Sequence, residues 1–291
     1  MGRHRRIARS HRTPASRGAM AAGMLSIASV GTSSVATIPT PVCSSDRPDL
    51  ADELSADINE ALDGAASVSI SLRDSTTNTT CAVDGDQKYD SASTVKVTVL
   101  AALLWDAQSG NRTLTQEERE RATAMITESD NDATTALWKR LGDAKISAFL
   151  HAAGMTDTVP DKENYWGLTQ VTANDQEKLM QLVTSENPTL RSDSRAFILE
   201  LMGDVVDSQR WGTPAGVPLG TKTYLKNGWL ERASNGWRVH SLGAFTAAGH
   251  DYTLTVLSQD NATMEDGIAR IESVARVVHN DLNAYAAGPR S

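Results

Sequence analysis

Val68, Ile70 and Leu72 alternate with Ser69, Ser71 and Arg73, and strand-like segments recur far downstream, over residues 238–246 and 252–258. The alternation marks a strand with one buried face. A second strand is predicted around residues 80–83, and a hairpin turn at residues 247–251. Between these ends the pattern is helical. Thr115 and Glu118 form a capping box ahead of a helix reaching about Thr127. Further helices are predicted near residues 132–141, 143–153 (with Gly154 as the stop), 173–183 and 194–202. Leu50, Leu54, Ile58 and Leu62 mark an amphipathic helix at the start, and Ile268, Ile271, Val274, Val278 and Leu282 mark another at the end. Strands that bracket a helical block predict an α/β (α+β) fold. Its mixed, mainly antiparallel sheet is built from both chain ends, flanked by the terminal helices, and an all-helical lobe is inserted. The sheet lobe takes residues 49–90 and 215–286, the helical lobe residues 91–214. A cleft between two lobes is a natural ligand site.

Charge divides the chain in another way. It carries 28 basic against 36 acidic residues, a net −8, which argues against a nucleic-acid partner. Residues 1–36 nevertheless hold six arginines and no acid, and an uncharged stretch ends at Ser34-Val35-Ala36. This reads as an export signal, residues 1–36, followed by a Pro/Ser/Thr-rich linker, residues 37–48, and one domain, residues 49–286. Gly, Ser and Thr dilute the apolar stretch, so cleavage is expected rather than a stable membrane anchor. The expected product is a secreted monomer. Cys43 and Cys81 either pair in an oxidising compartment or stay as thiols. The histidines show no metal-ligand spacing with an acidic partner, and no metal or cofactor is expected.

Three short motifs carry chemistry. In Ser93-Thr94-Val95-Lys96, positions i and i+3 share a face if the segment is helical. A lysine with a lowered pKa then reaches a hydroxyl that needs a base. Val95, Val97 and Val99 alternate like a strand, whereas residues 100–105 read as a buried helix; the nucleophile reading requires the helix. Ser129-Asp130-Asn131 is either a helix linker with a cap or a proton shuttle, Ser129, beside an amide-binding Asn131. Lys226-Asn227-Gly228, followed by Trp229, is either a turn or an edge strand along the cleft. No G-x-S-x-G elbow occurs; residues 239–243 lack its first glycine.

In this order the motifs resemble the penicillin-recognising serine enzymes, class A β-lactamases most closely, over roughly residues 50–286. The resemblance implies that Ser93 is acylated and that Lys96 is its base partner. It implies that Ser129 passes a proton to the leaving nitrogen, with Lys226 close by. Asn131 would hold the substrate side chain, Asn227 and Gly228 would line the edge strand, and the N–H groups of Ser93 and Trp229 would form the oxyanion hole. Arg238 reads either as an anchor for a substrate carboxylate or as a solvent-facing strand residue. Three features depart from the family. The stretch from Ser93 to Ser129 is short, Asn227 replaces a hydroxyl residue, and the loop of residues 159–170 holds one glutamate, Glu163. Glu163 is either the base for deacylation or a solvated loop charge. The implied substrate is a small β-lactam or a cell-wall peptide. The rival activities are those of a D,D-peptidase, transpeptidase or esterase, and the non-enzymatic rival is a cell-wall-binding domain.

Overall fold

The computed structural model describes residues 40–63, 67–233, 236–247 and 250–286. The expected export signal, residues 1–36, lies outside them. The described chain runs β1 (Val42–Ser44), α1 (Pro48–Leu62), β2 (Val68–Asp74), β3 (Thr79–Val83), β4 (Tyr89–Asp90), α2 (Val95–Ser109), α3 (Gln116–Thr127) and α4 (Asn131–Ala152). It continues with β5 (Gln170–Val171), α5 (Ala173–Thr184), α6 (Ser192–Gly203), β6 (Lys222–Arg232), β7 (Gly236–Ala247), β8 (His250–Asn261) and α7 (Met264–Ala286).

The large sheet has the order β1-β3-β2-β8-β7-β6. Its two halves come from opposite ends of the chain and meet at β2 and β8, in register from Val68↔Ser258 to Asp74↔Tyr252. Every pairing in it is antiparallel, in keeping with the mainly antiparallel sheet expected. Both faces are covered. Along β7, Val239 and Phe245 join the core under α1 and α7, with Leu54, Ile58, Ile271 and Val274. Leu242 and Ala244 point the other way and join the helical core around Leu100, Leu103, Met125 and Phe149. This is the period of two that places successive residues on opposite faces.

Local signals account for the helix ends. The Thr115 hydroxyl accepts from Glu118 N (3.2 Å), and Thr115 N donates back to Glu118 Oε2 (2.8 Å), which closes the expected capping box. The two helices predicted at residues 132–141 and 143–153 are the halves of α4, which bends at Gly142 with φ of 71°. Glycine tolerates that angle because it has no Cβ.

The segment expected as a linker is partly structured. Val42–Ser44 adds a strand to the free edge of β3, with Cys43 directly opposite Cys81, and the two cysteines form a disulfide. Three residues are too few to show an alternation, so only the tertiary link reveals this strand. The disulfide spans a sequence separation of 38. The double variant Cys43→Ser/Cys81→Ser is expected to lose about 2–4 kcal/mol of stability, measured by urea unfolding, through the greater entropy of its unfolded chain.

Candidate active site

Ser93 sits in a 3₁₀ turn, Ala92–Thr94, that runs straight into α2. Every residue from Val95 to Leu104 is buried. The valines are therefore helical because all sides of α2 pack, and this burial overrides the preference of branched residues for strands. The turn is anchored at Ser91, whose carbonyl accepts from Thr94 N (3.2 Å) and from the Thr94 hydroxyl (2.7 Å). Ala92 and Ser129 hold left-handed backbone, with φ of 48° and 61°. Non-glycine residues rarely adopt that region, and it costs about 1–3 kcal/mol where they do.

Lys96, one turn beyond Ser93, is fully buried. Its Nζ donates to Ser129 O (2.6 Å), Ser129 Oγ (3.0 Å) and Asn131 Oδ1 (2.8 Å). Lys226, also fully buried, reaches the same Ser129 Oγ (3.0 Å) from β6 and donates as well to Asn227 O (3.0 Å). Ser129 Oγ thus accepts from two lysines and keeps its own O–H to donate. Burial lowers the Lys96 ammonium to about 8, against an opposing effect of Asp130. Burial first, and then the charge of Lys96, push Lys226 well below the usual lysine range. Desolvation and a like charge both favour the neutral amine, the form that can take a proton.

β6 is the edge strand, and it approaches the 3₁₀ turn closely at Gly228. A Cβ there would stand 2.8 Å from Ser93 N and 2.9 Å from Thr94 N, so no side chain fits. The next residue, Trp229, lines a cleft of about 610 Å³ together with Ser93, Asn131, Thr135, Asn164 and Trp166. The Trp166 ring lies 5.0 Å from Lys96 Nζ, and its Nε1 donates to the Thr135 hydroxyl (3.1 Å).

The expected residues divide into two groups. Ser93, Asn131 and Trp229 line the cleft, Gly228 sets its wall, and Ser129 joins Lys96 to Lys226. Glu163, Arg238 and the Asn227 side chain stand elsewhere. Glu163 is exposed and does not line the cleft. Asp161 shapes its turn, accepting from Glu163 N (2.9 Å) and Tyr165 N (3.2 Å), and Val159 pairs with Gln170 to close the loop early. So short a loop brings Trp166 to the lysine instead. Arg238 is 6% exposed and faces Asp90 at 3.4 Å, so it is neither in the cleft nor facing solvent. Asp90 also accepts from Gln170 Nε2 (2.7 Å), and its carbonyl meets His240 Nε2 (2.9 Å). This knot ties β7 and the loop to the strand just ahead of Ser93. The Asn227 amide is buried and donates to Gln209 O (2.8 Å) and Trp211 O (2.9 Å), bracing β6 from behind. Trp166 and Thr135 were not foreseen. They match no motif, and their place depends on how the loop closes.

A model of the beta-lactamase enzyme family matches residues 49–120 and 118–282. The chain belongs to the β-lactamase family. Solved structures of that fold align over most of it. A beta lactamase from Xanthomonas campestris pv. campestris is 20% identical, with a TM-score of 0.69, over 79% of this chain and 98% of that one. An ancestral class A β-lactamase is 21% identical, with a TM-score of 0.66, over 78% and 99%. PBP-A is 22% identical, with a TM-score of 0.69, over 80% and 96%. No curated protein sequence matches significantly. The β-lactamase family and fold make the chain a serine hydrolase by type.

Proposed function

We infer that this β-lactamase-family protein is an exported serine hydrolase that forms an acyl-enzyme on Ser93 and releases it slowly. The observation that carries the reading is Ser129 Oγ, held at 3.0 Å by both Lys96 and Lys226 beside the cleft that Ser93 lines. In the first step neutral Lys96 takes the Ser93 proton while Oγ attacks the carbonyl carbon of a β-lactam or a cell-wall peptide. The N–H groups of Ser93 and Trp229 receive the developing oxyanion. In the second step the C–N bond breaks. Ser129 gives its proton to the leaving nitrogen, and Lys96 returns a proton to Ser129. The product is an ester on Ser93.

Hydrolysis of that ester needs a water and a base. Among the described residues no carboxylate lines the cleft, and Glu163 points to solvent. This favours a long-lived acyl-enzyme, as in a penicillin-binding peptidase, transpeptidase or esterase, over rapid β-lactam turnover. A variant of PBP-A, 21% identical to this chain, is described as an acyl-enzyme complex with penicillin G. The disulfide supports an oxidising, extracytoplasmic site of action. Among the described residues no helix is long and apolar enough to cross a membrane.

The test is intact-mass spectrometry after exposure to a reporter penicillin. One covalent adduct is expected on the wild type and none on Ser93→Ala. An unmodified wild type, or an equal adduct on Ser93→Ala, removes the enzyme reading and leaves the binding-domain rival.

A further inference from the structure

Away from the cleft, α1 and α7 pack along an apolar seam that includes Leu54, Ile58, Val274 and Val278. Three carboxylates flank that seam. Glu53 and Asp57 stand one turn apart on α1, and Asp281 comes from α7. One oxygen from each lies within 4.8 Å of the others. Glu53 is exposed, Asp57 half-buried and Asp281 fully buried. Among the described residues no lysine, arginine or histidine forms an ion pair with any of the three.

Asp281 decides the matter. Its Oδ1 accepts one long hydrogen bond from the adjacent Asn280 Nδ2 (3.3 Å), and its Oδ2 is buried with no hydrogen-bond partner. A buried carboxylate oxygen ordinarily has a donor, and leaving it without one is costly. Burial first, then Asp57, and more weakly Glu53, push the Asp281 carboxyl up to about 6. Three carboxylates thus converge at one point, and no cationic side chain among the described residues pairs with them. Oxygens that bind Ca²⁺ at about 2.4 Å can stand at most about 4.8 Å apart, so the triad fits around one ion. Exposed Glu53 leaves an open side for water to complete the shell.

We propose that Glu53, Asp57 and Asp281 bind one divalent cation, Ca²⁺ in preference to Mg²⁺, which clamps the first helix to the last. Ca²⁺ accepts an irregular shell of carboxylates and waters, whereas Mg²⁺ demands a near-ideal octahedron. The site is independent of the Ser93 chemistry and stands if that reading fails.

The test is thermal unfolding of the full, disulfide-bonded chain at about pH 7.5, with CaCl₂, MgCl₂, or NaCl at matched ionic strength. At about 10 mM CaCl₂ the melting temperature is expected to rise by about 2–6 °C above the NaCl control, and less with MgCl₂. In Asp281→Asn the rise disappears, and without Ca²⁺ this variant melts above the wild type because a repelling charge has gone. If Asp281→Asn does not fold, Glu53→Gln/Asp57→Asn, on the more open side, must abolish the rise instead. No rise, an equal rise with NaCl, or a rise that survives in the folded variant overturns the site. A rise with MgCl₂ as large as with CaCl₂ overturns the preference for Ca²⁺.

Discussion

Lys96→Met is expected to slow acylation of Ser93 by a reporter penicillin by 10²–10⁴-fold, the usual contribution of a positioned general base. The shape of the side chain is nearly kept, so a folded variant isolates the loss of the amine. The pH profile carries the sharper information. Only neutral lysine can accept the Ser93 proton, and burial holds Lys96 at about 8. Below that value the neutral fraction falls about tenfold for each pH unit. The wild-type acylation rate should therefore climb from pH 6 to about pH 8 and then level off. Stopped-flow measurement of adduct formation across this range reads both features. In Lys96→Met the slope should disappear together with the rate. If the variant keeps the slope near pH 8, another group supplies the base, and Lys226 is then the residue to examine. It shares Ser129 Oγ, and its pKa is lowered too.

Trp166→Glu is expected to speed deacylation by 10²–10⁴-fold and to turn a protein that is labelled once into one that turns over. The Trp166 ring lies 5.0 Å from Lys96 Nζ and lines the same cleft as Ser93. A carboxylate from this position enters the cleft that Ser93 also lines, where no described residue supplies one, and can serve there as the base for a water that attacks the Ser93 ester. Return of free enzyme from the penicillin adduct, followed by mass spectrometry, measures the rate. Trp166→Gln is the control, since it opens the same space without a base. Equal recovery by the two variants would mean that space for water, and not a base, limits deacylation. Unfolding of both should be checked, because the Trp166 bond to Thr135 is lost in each.

These two residues show where the sequence was legible. Lys96 could be found because i and i+3 on a helix must share a face, whatever surrounds them. Ser129 and Lys226 could be found because their motifs follow in a fixed order, although their distances come from the folded lobes. The sheet of two chain ends was legible for a similar reason, since strand periods at Val68–Leu72 and beyond Arg238 bracket a helical stretch. Trp166 was not legible, because its place depends on Val159 meeting Gln170 and on the Asp161 turn that sends Glu163 outward. Arg238 is neither a cleft anchor nor a solvent-facing residue, and the sequence does not reveal this because its partner Asp90 is distant and belongs to a two-residue strand with no period to read. β1 was missed because a three-residue edge strand in Pro/Ser/Thr-rich sequence is defined by its disulfide and by β3 rather than by its own residues.

The β2–β8 seam has a consequence in time. β8 ends only at Asn261, yet it must lie beside β2 before the sheet exists. Closing so long a loop comes before any reward from the contacts it makes, so folding should be slow and late. A growing chain can already contain Ser93, Lys96 and α2 while Lys226 and the Gly228 wall have yet to be synthesised. On the proposed reading such a chain has a nucleophile with nothing to work against. Under the proposed function the chemistry starts only after the last strand arrives, and an incomplete chain is not acylated before it is whole.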